Sequence, residues 1–180
     1  MEASIRWADE LVIALGGPAG PAHQVDWGDI ATLLGTDVPV DFKYLAEANG
    51  AGEIEGGIIV TAPSPTAMAL DFARYNQGIT GDYRKYSREL AEDGFPYRFY
   101  PDSGGLIGWG YCGEGSFFWK SSGEPNSWTV VVMEVRGAGW FEFDGGMAEF
   151  LLKLIRREII VDFMFEDGSE GLGGSFRRLG

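Results

Sequence analysis

Three stretches of this chain carry residue types and spacings that could do chemistry. Gly108-Trp109-Gly110-Tyr111-Cys112-Gly113 spells G-x-G-x-x-G, a pattern that cradles a pyrophosphate when it follows a strand and opens a helix whose N–H groups face the ligand. Here it runs into Ser116-Phe117-Phe118-Trp119, which reads as strand, so a glycine-rich β-turn is the simpler assignment. Asp102-Ser103-Gly104-Gly105 echoes the nucleophile loop of trypsin-like serine proteases. That chemistry needs a histidine base beside the serine, and the single histidine, His23, sits in a Gly/Pro loop. Glu92-Asp93 and Glu166-Asp167 are carboxylate clusters without EF-hand spacing and read as solvated surface. With one His and one Cys, Cys112, the nitrogen and sulfur ligand sets of zinc or copper cannot be assembled. Paired carboxylates for glycoside hydrolysis need only a spatial separation, and nothing marks a particular pair. The residues therefore point away from catalysis, metals and cofactors.

Aromatic residues carry the positive case. Trp109, Tyr111, Trp119, Trp128 and Trp140 cluster in the second half of the chain, and Tyr and Trp serve both as core filling and as interface anchors. Trp109, Trp128 and Phe118 are assigned to the core. Tyr111 and Glu114, in the glycine-rich turn, are better placed for the surface. A net charge of −13 and a pI near 4.4 disfavour nucleic acid, whose affinity comes largely from Lys and Arg on phosphates, and favour a basic protein partner.

The elements that must position these residues can be read from periodicity. At 180 residues and 45% hydrophobic, the chain can close one core. Its start is not a secretory signal, no apolar run approaches the roughly 20 residues of a membrane span, and a lone cysteine fits a reducing cytosol. Helices are expected over 5–15, stopped by Gly16-Gly17-Pro18, over about 26–34, ended by Gly35, and over 39–48. Asn49 to Gly52 reads as a turn and Ile58 to Thr61 as a strand. Residues 66–93 read as helix with a break at Gly78 or Gly81, and 94–105 as an ordered loop.

Runs at 106–109, 116–119, 129–135 and 139–144 have the form of an antiparallel meander. In the last of them, alternation sends Phe141 and Phe143 to one face and Trp140 and Glu142 to the other. An amphipathic helix over about 146–157 follows, with Asp144 as its cap, then a strand over 159–165. The domain is expected to span 1–165, with 166–180 a flexible Gly-rich tail.

In order and spacing, two separated signatures resemble the SUKH superfamily over residues 25–157. The first is Trp27-Gly-Asp-Ile30, Leu33-Leu34-Gly35, Val38-Pro39-x-Asp41-Phe42-Lys43, Asn49-Gly50-x-Gly52 and Ile58-Ile59-Val60. The second is Gly104-Gly105-Leu106-Ile107-x-Trp109-Gly110, Phe118-Trp119, Gly123-x-Pro125-x-x-Trp128 and Glu149-Phe150-Leu151-Leu152. The resemblance implies a single α+β domain with helices packed on an antiparallel or mixed twisted sheet, with no cofactor and no shared catalytic residue. Many bacterial members are immunity proteins, which implies a cytoplasmic protein that binds and neutralises the catalytic domain of a cognate toxin. The alternative is an intracellular adaptor without a toxin partner. The loops between the signatures, 92–103 and 111–116, are where partner contacts are expected, with Glu92, Asp93, Tyr97, Tyr100, Asp102, Tyr111, Glu114 and Trp119 as the contact set.

Overall fold

The longest unbroken runs of buried residues lie in the strands of the second half of the chain, and these strands form the middle of the structure. The computed structural model describes residues 2–21, 24–54, 56–64, 68, 70–89, 96–135, 139–164 and 174–179. Seven strands form one open antiparallel sheet in the order β6-β5-β4-β3-β2-β1-β7. They are β1 (Gly52–Ile54), β2 (Ile58–Val60), β3 (Leu106–Tyr111), β4 (Gly115–Lys120), β5 (Thr129–Glu134), β6 (Trp140–Phe143) and β7 (Phe176–Arg178). The helices are α1 (Glu2–Ala14), α2 (Trp27–Leu34), α3 (Val40–Asn49), α4 (Phe72–Glu89) and α5 (Met147–Ile155). Together they make a single α+β domain, as expected.

Alternation along the strands sorts the core into two layers. Ile107, Trp109, Phe117, Trp119, Val130 and Val132 face one way, into a cluster with Leu11, Phe42, Phe150 and Leu151 from α1, α3 and α5. Phe42 is the hub of its aromatic part, with ring centroids 4.9 Å from Phe72 and 5.1 Å from Trp119. Leu106, Phe118, Val131 and Met133 face the other way, with Phe99 and the partly buried Ile79, Tyr83, Tyr97 and Trp140. As read from the sequence, Phe141 and Phe143 join the first layer and Trp140 the second.

The differences from the sequence reading have physical causes. α4 is one continuous helix through Gly78 and Gly81, where an added Cβ would meet nothing within 4 Å. Each glycine costs roughly 0.5–1 kcal/mol of helix propensity, outweighed by burial of Phe72, Asn76 and Thr80 on the opposite side. Asp71 holds the helix start, accepting from the Arg74 N–H at 3.0 Å. Gly52 belongs to β1 instead of a turn; a Cβ there would run into the Phe176 ring and the Arg177 carbonyl, so only glycine lets β7 pair there. The chain end read as a flexible tail thus carries an edge strand, with Arg177 paired to Glu53. The strand expected over 159–165 is absent from its described part. Val161 and Met164 enter the core from a turn, the Met164 N–H donating to the Val161 carbonyl at 2.9 Å, while Ile160 stays 69% exposed.

The cap of α5 is also different. Asp144 is exposed, and the N-cap position is Gly146, with no side-chain bond. The capping group comes from α3: Asp41, 3% exposed, accepts the Ala148 N–H at 3.0 Å and the Phe42 N–H at 2.9 Å. A Cβ on Gly146 would stand 2.8 Å from this carboxylate, which is why the N-cap is bare. Burial pushes the Asp41 carboxyl above its ordinary value of 3.8, against the opposing pull of the N–H groups of Ala148 and Phe42.

A carboxyl whose pKa rises on folding keeps its proton better in the fold than in the unfolded chain. Between 3.8 and the raised value, the fold therefore loses stability as pH climbs, and above that window the effect is constant. In urea unfolding at neutral pH, Asp41→Ala should lower stability by about 2–3 kcal/mol, through the lost cap and the orphaned N–H groups. Asp41→Asn, with one acceptor oxygen left, should cost less and should abolish that acid-side slope.

Candidate functional site

The α4 side of the sheet gathers most of the residues read as contacts, and its geometry begins with a backbone deficit. β2 pairs only with the Gly110–Tyr111 end of β3, leaving the rest of that edge without a strand partner. Three substitutes complete it, the first being Thr61 just past β2, whose N–H and Oγ1 both donate to the Trp109 carbonyl, at 3.1 and 2.8 Å. The segment before β3 turns back on it, with Leu106 N–H donating to the Arg98 carbonyl at 2.8 Å and Tyr100 N–H to the Leu106 carbonyl at 3.1 Å. The Asn76 carboxamide on α4 serves Gly108 at both ends, its Nδ2–H donating to the carbonyl and its Oδ1 accepting the N–H at 3.2 Å. Thr80 steadies that amide, Oγ1 donating to Oδ1 at 2.9 Å.

The glycine of the apparent nucleotide motif is what makes the contact fit. A Cβ on Gly108 would stand 3.0 Å from both Ile79 Cγ2 and Tyr75 Cε1. Past Gly113 the chain runs into β4, so the motif is a close-approach site for α4 followed by a β-turn. Likewise Asp102-Ser103-Gly104-Gly105 is a turn closed by the Gly105 N–H on the Asp102 carbonyl at 2.8 Å; His23 lies outside the described residues.

Five of the expected contact residues lie on or beside this face. Tyr97 packs on Trp140 with centroids 4.7 Å apart, and its hydroxyl donates to Glu142. Lys120 Nζ is 3.5 Å from the same carboxylate and 5.7 Å from the Tyr97 ring. Tyr100 is half-buried, beside α2 and α4. Asp102 receives Arg84 at 3.0 Å and Arg88 at 3.6 Å. Tyr111 stacks on Tyr75 at 5.6 Å, and the Tyr75 hydroxyl donates to the Gly110 carbonyl at 2.8 Å. Glu114 is exposed in the β3–β4 turn. Glu92 and Asp93 lie outside the described residues.

Trp119 does not belong to the contact set. It is fully buried against Phe42, on the α3 side of the sheet. β4 is central and covered on both faces, so alternation could not separate an exposed position from a buried one. The expected contact set also leaves out Arg84, Arg88, Trp140 and Glu142, the partners that hold Asp102 and Tyr97 in place. The i, i+4 spacing of Arg84 and Arg88 on a helix was the available signal for a shared carboxylate.

Electrostatics here favour fixed ion pairs over proton transfer. The Tyr97 hydrogen bond, then the Lys120 charge, outweighs desolvation and holds the Glu142 carboxyl below its ordinary 4.5. Burial first, and the Glu142 carboxylate second, hold the Tyr97 phenol above its usual range. Burial likewise pushes the Cys112 thiol up, away from the thiolate that a nucleophile needs. Among the described residues, no three of His, Cys, Asp and Glu come together to hold a metal, and no helix is long and apolar enough to cross a membrane.

Two substitutions test the architecture of this face. Asn76→Ala orphans both Gly108 backbone groups and should cost about 3 kcal/mol in urea unfolding. Tyr97→Phe should raise the Glu142 pKa toward 4.5, followed by carbon-detected NMR of the side-chain carboxyl. The stability that Glu142 supplies is present above 4.5 and lost as pH falls through its depressed value, so the variant should lose less on acidification. Comparison of the chain with protein-family models, with curated proteins and with solved structures gives no match.

Proposed function

We propose that this chain is a SUKH-type immunity protein, non-enzymatic and cytoplasmic, that binds the catalytic domain of a cognate bacterial toxin and neutralises it. One observation carries the reading: the signature residues behind the resemblance go into scaffold. Phe42, Trp109, Trp119, Trp128 and Phe150 fill the core, Asp41 caps α5, and Gly105 and Gly110 admit close backbone contacts. A Cβ on Gly105 would lie 2.5 Å from the Phe99 and Tyr100 backbone. A module whose shared residues are spent on structure leaves its surface free to be fitted to different partners.

The surface of this one suits a basic partner. The chain carries −13, and Asp82, Glu114 and Glu142 are exposed on or near the α4 side, around the half-buried Tyr97, Tyr111 and Trp140. Aromatic anchors within a charged rim are the usual composition of a protein-binding patch. Opposite charge on a toxin that handles nucleic acid would speed encounter at low salt.

Co-expression with toxin domains encoded beside this gene should restore growth, and the purified pair should form a complex whose association slows as salt rises. Glu114→Lys with Glu142→Lys should slow association by about tenfold and change dissociation little. Neither rescue nor complex with any neighbouring toxin would remove the proposal, and capture of several unrelated partners would favour the adaptor.

A further inference from the structure

α4 has a second flank, the one that faces α2, where an apolar wall meets a guanidinium. Between α2 and α4 lies a cleft of about 210 Å³, walled by Leu33, Leu34 and Ala73, with Gln77, Arg84 and Tyr100 as polar groups. At its rim Leu33 is 65% exposed. In a chain of −13, no carboxylate stands among the described residues that line this cleft. Its charged member is Arg84; Arg84 and Arg88 share the single carboxylate of Asp102, and Lys85 and Glu89 lie in the same stretch of helix. Arg84 gives Nη2 to Asp102, while its Nε–H is buried without an acceptor. Two guanidinium groups thus share one carboxylate beside the apolar wall.

Size decides what could enter. The volume falls below the roughly 300–1,000 Å³ of sites for drug-sized ligands or cofactors and is on the scale of one large side chain. We propose that the cleft receives the C-terminal residue of a partner protein chain, its apolar side chain between Leu33, Leu34 and Ala73 and its carboxylate toward the Arg84 guanidinium. The pairing is charge-assisted, and a planar guanidinium is the side chain best shaped for a carboxylate. This site stands whether or not the partner on the acidic surface is a toxin.

Three small probes separate the parts of the claim: N-acetyl-L-phenylalanine, its C-terminal amide, and N-acetylglycine, each titrated into the full chain and followed by amide NMR. N-acetyl-L-phenylalanine should bind in the millimolar range expected of a ligand this small. Its shifts should concentrate at residues 73–84 and 100–101, and both other probes should be at least fivefold weaker. Arg84→Gln should remove the preference of acid over amide. Gly81→Leu places a side chain where an added Cβ meets nothing within 4 Å and replaces a helical glycine, so it should fill the cleft without cost to folding and abolish the localised shifts. Equal binding of acid and amide, shifts spread elsewhere, or undiminished binding to a folded Gly81→Leu protein would each overturn the site.

Discussion

The constraint on which the rest of the structure depends is the incomplete edge of β3. A strand buried on both faces cannot leave N–H and C=O groups unpaired, because water does not reach them. β2 stops after covering the Gly110–Tyr111 end, so the remaining groups must be met by something other than a strand. Thr61 meets the Trp109 carbonyl, Asn76 meets the groups of Gly108, and the returning 98–100 segment meets those of Leu106. Each substitute fixes an element in place. Asn76 fixes the depth and rotation of α4, which sets Tyr75 against Tyr111 and Arg84 against Asp102. The 98–100 segment fixes Phe99 over Phe118, and with it Tyr97 beside Trp140. The surface around α4 is thus a consequence of how one strand completes its hydrogen bonds.

On the other face the equivalent role falls to Asp41. Its carboxylate ties the start of α5 to α3, two helices far apart in sequence, at the point where both pack on the aromatic layer around Phe42. A buried carboxyl is costly, and here burial prevails over the N–H groups that favour its charge. Both anchoring side chains, Asn76 and Asp41, are buried polar groups that place helices by binding backbone. Each requires a glycine opposite it, Gly108 for the approach of α4 and Gly146 for the carboxylate.

What was legible in the sequence follows from the range of each interaction. α1, α2, α3, α5, the β-branched run of β2 and the four strands from β3 to β6 are declared by local periodicity, residue type and turn residues. β1 and β7 are as short as β2 but lack its run of β-branched residues, and they exist because they pair with each other. The alternation at Ile159, Val161 and Phe163 looked like a strand, yet burial of Val161 and Met164 from a turn accounts for it as well. Asp144 was the nearest capping residue to α5 along the chain, whereas the residue that caps it is 107 positions away. For the site, Tyr97, Tyr100 and Asp102 were legible as aromatic and acidic loop residues. Their partners were not, since the meeting of Arg84 with Asp102 or Tyr97 with Glu142 is a product of the fold.

The forces that hold this face differ from those it offers to a partner. Arg84–Asp102, Arg88–Asp102 and Lys120–Glu142 are partly exposed pairs, and such pairs contribute about 0–1 kcal/mol each. Phe99, fully buried between Tyr83 and Phe118, outweighs them: an aromatic side chain of this kind is worth about 1.5–3 kcal/mol by burial alone. The 96–103 segment therefore keeps its course through Phe99 and its backbone bonds to Leu106, whatever charges decorate it. Surface charge can then change sign or position at little cost to the fold. That separation lets the charges around α4, Arg74 and Asp82 as much as Arg84 and Arg88, change on a scaffold that stays the same.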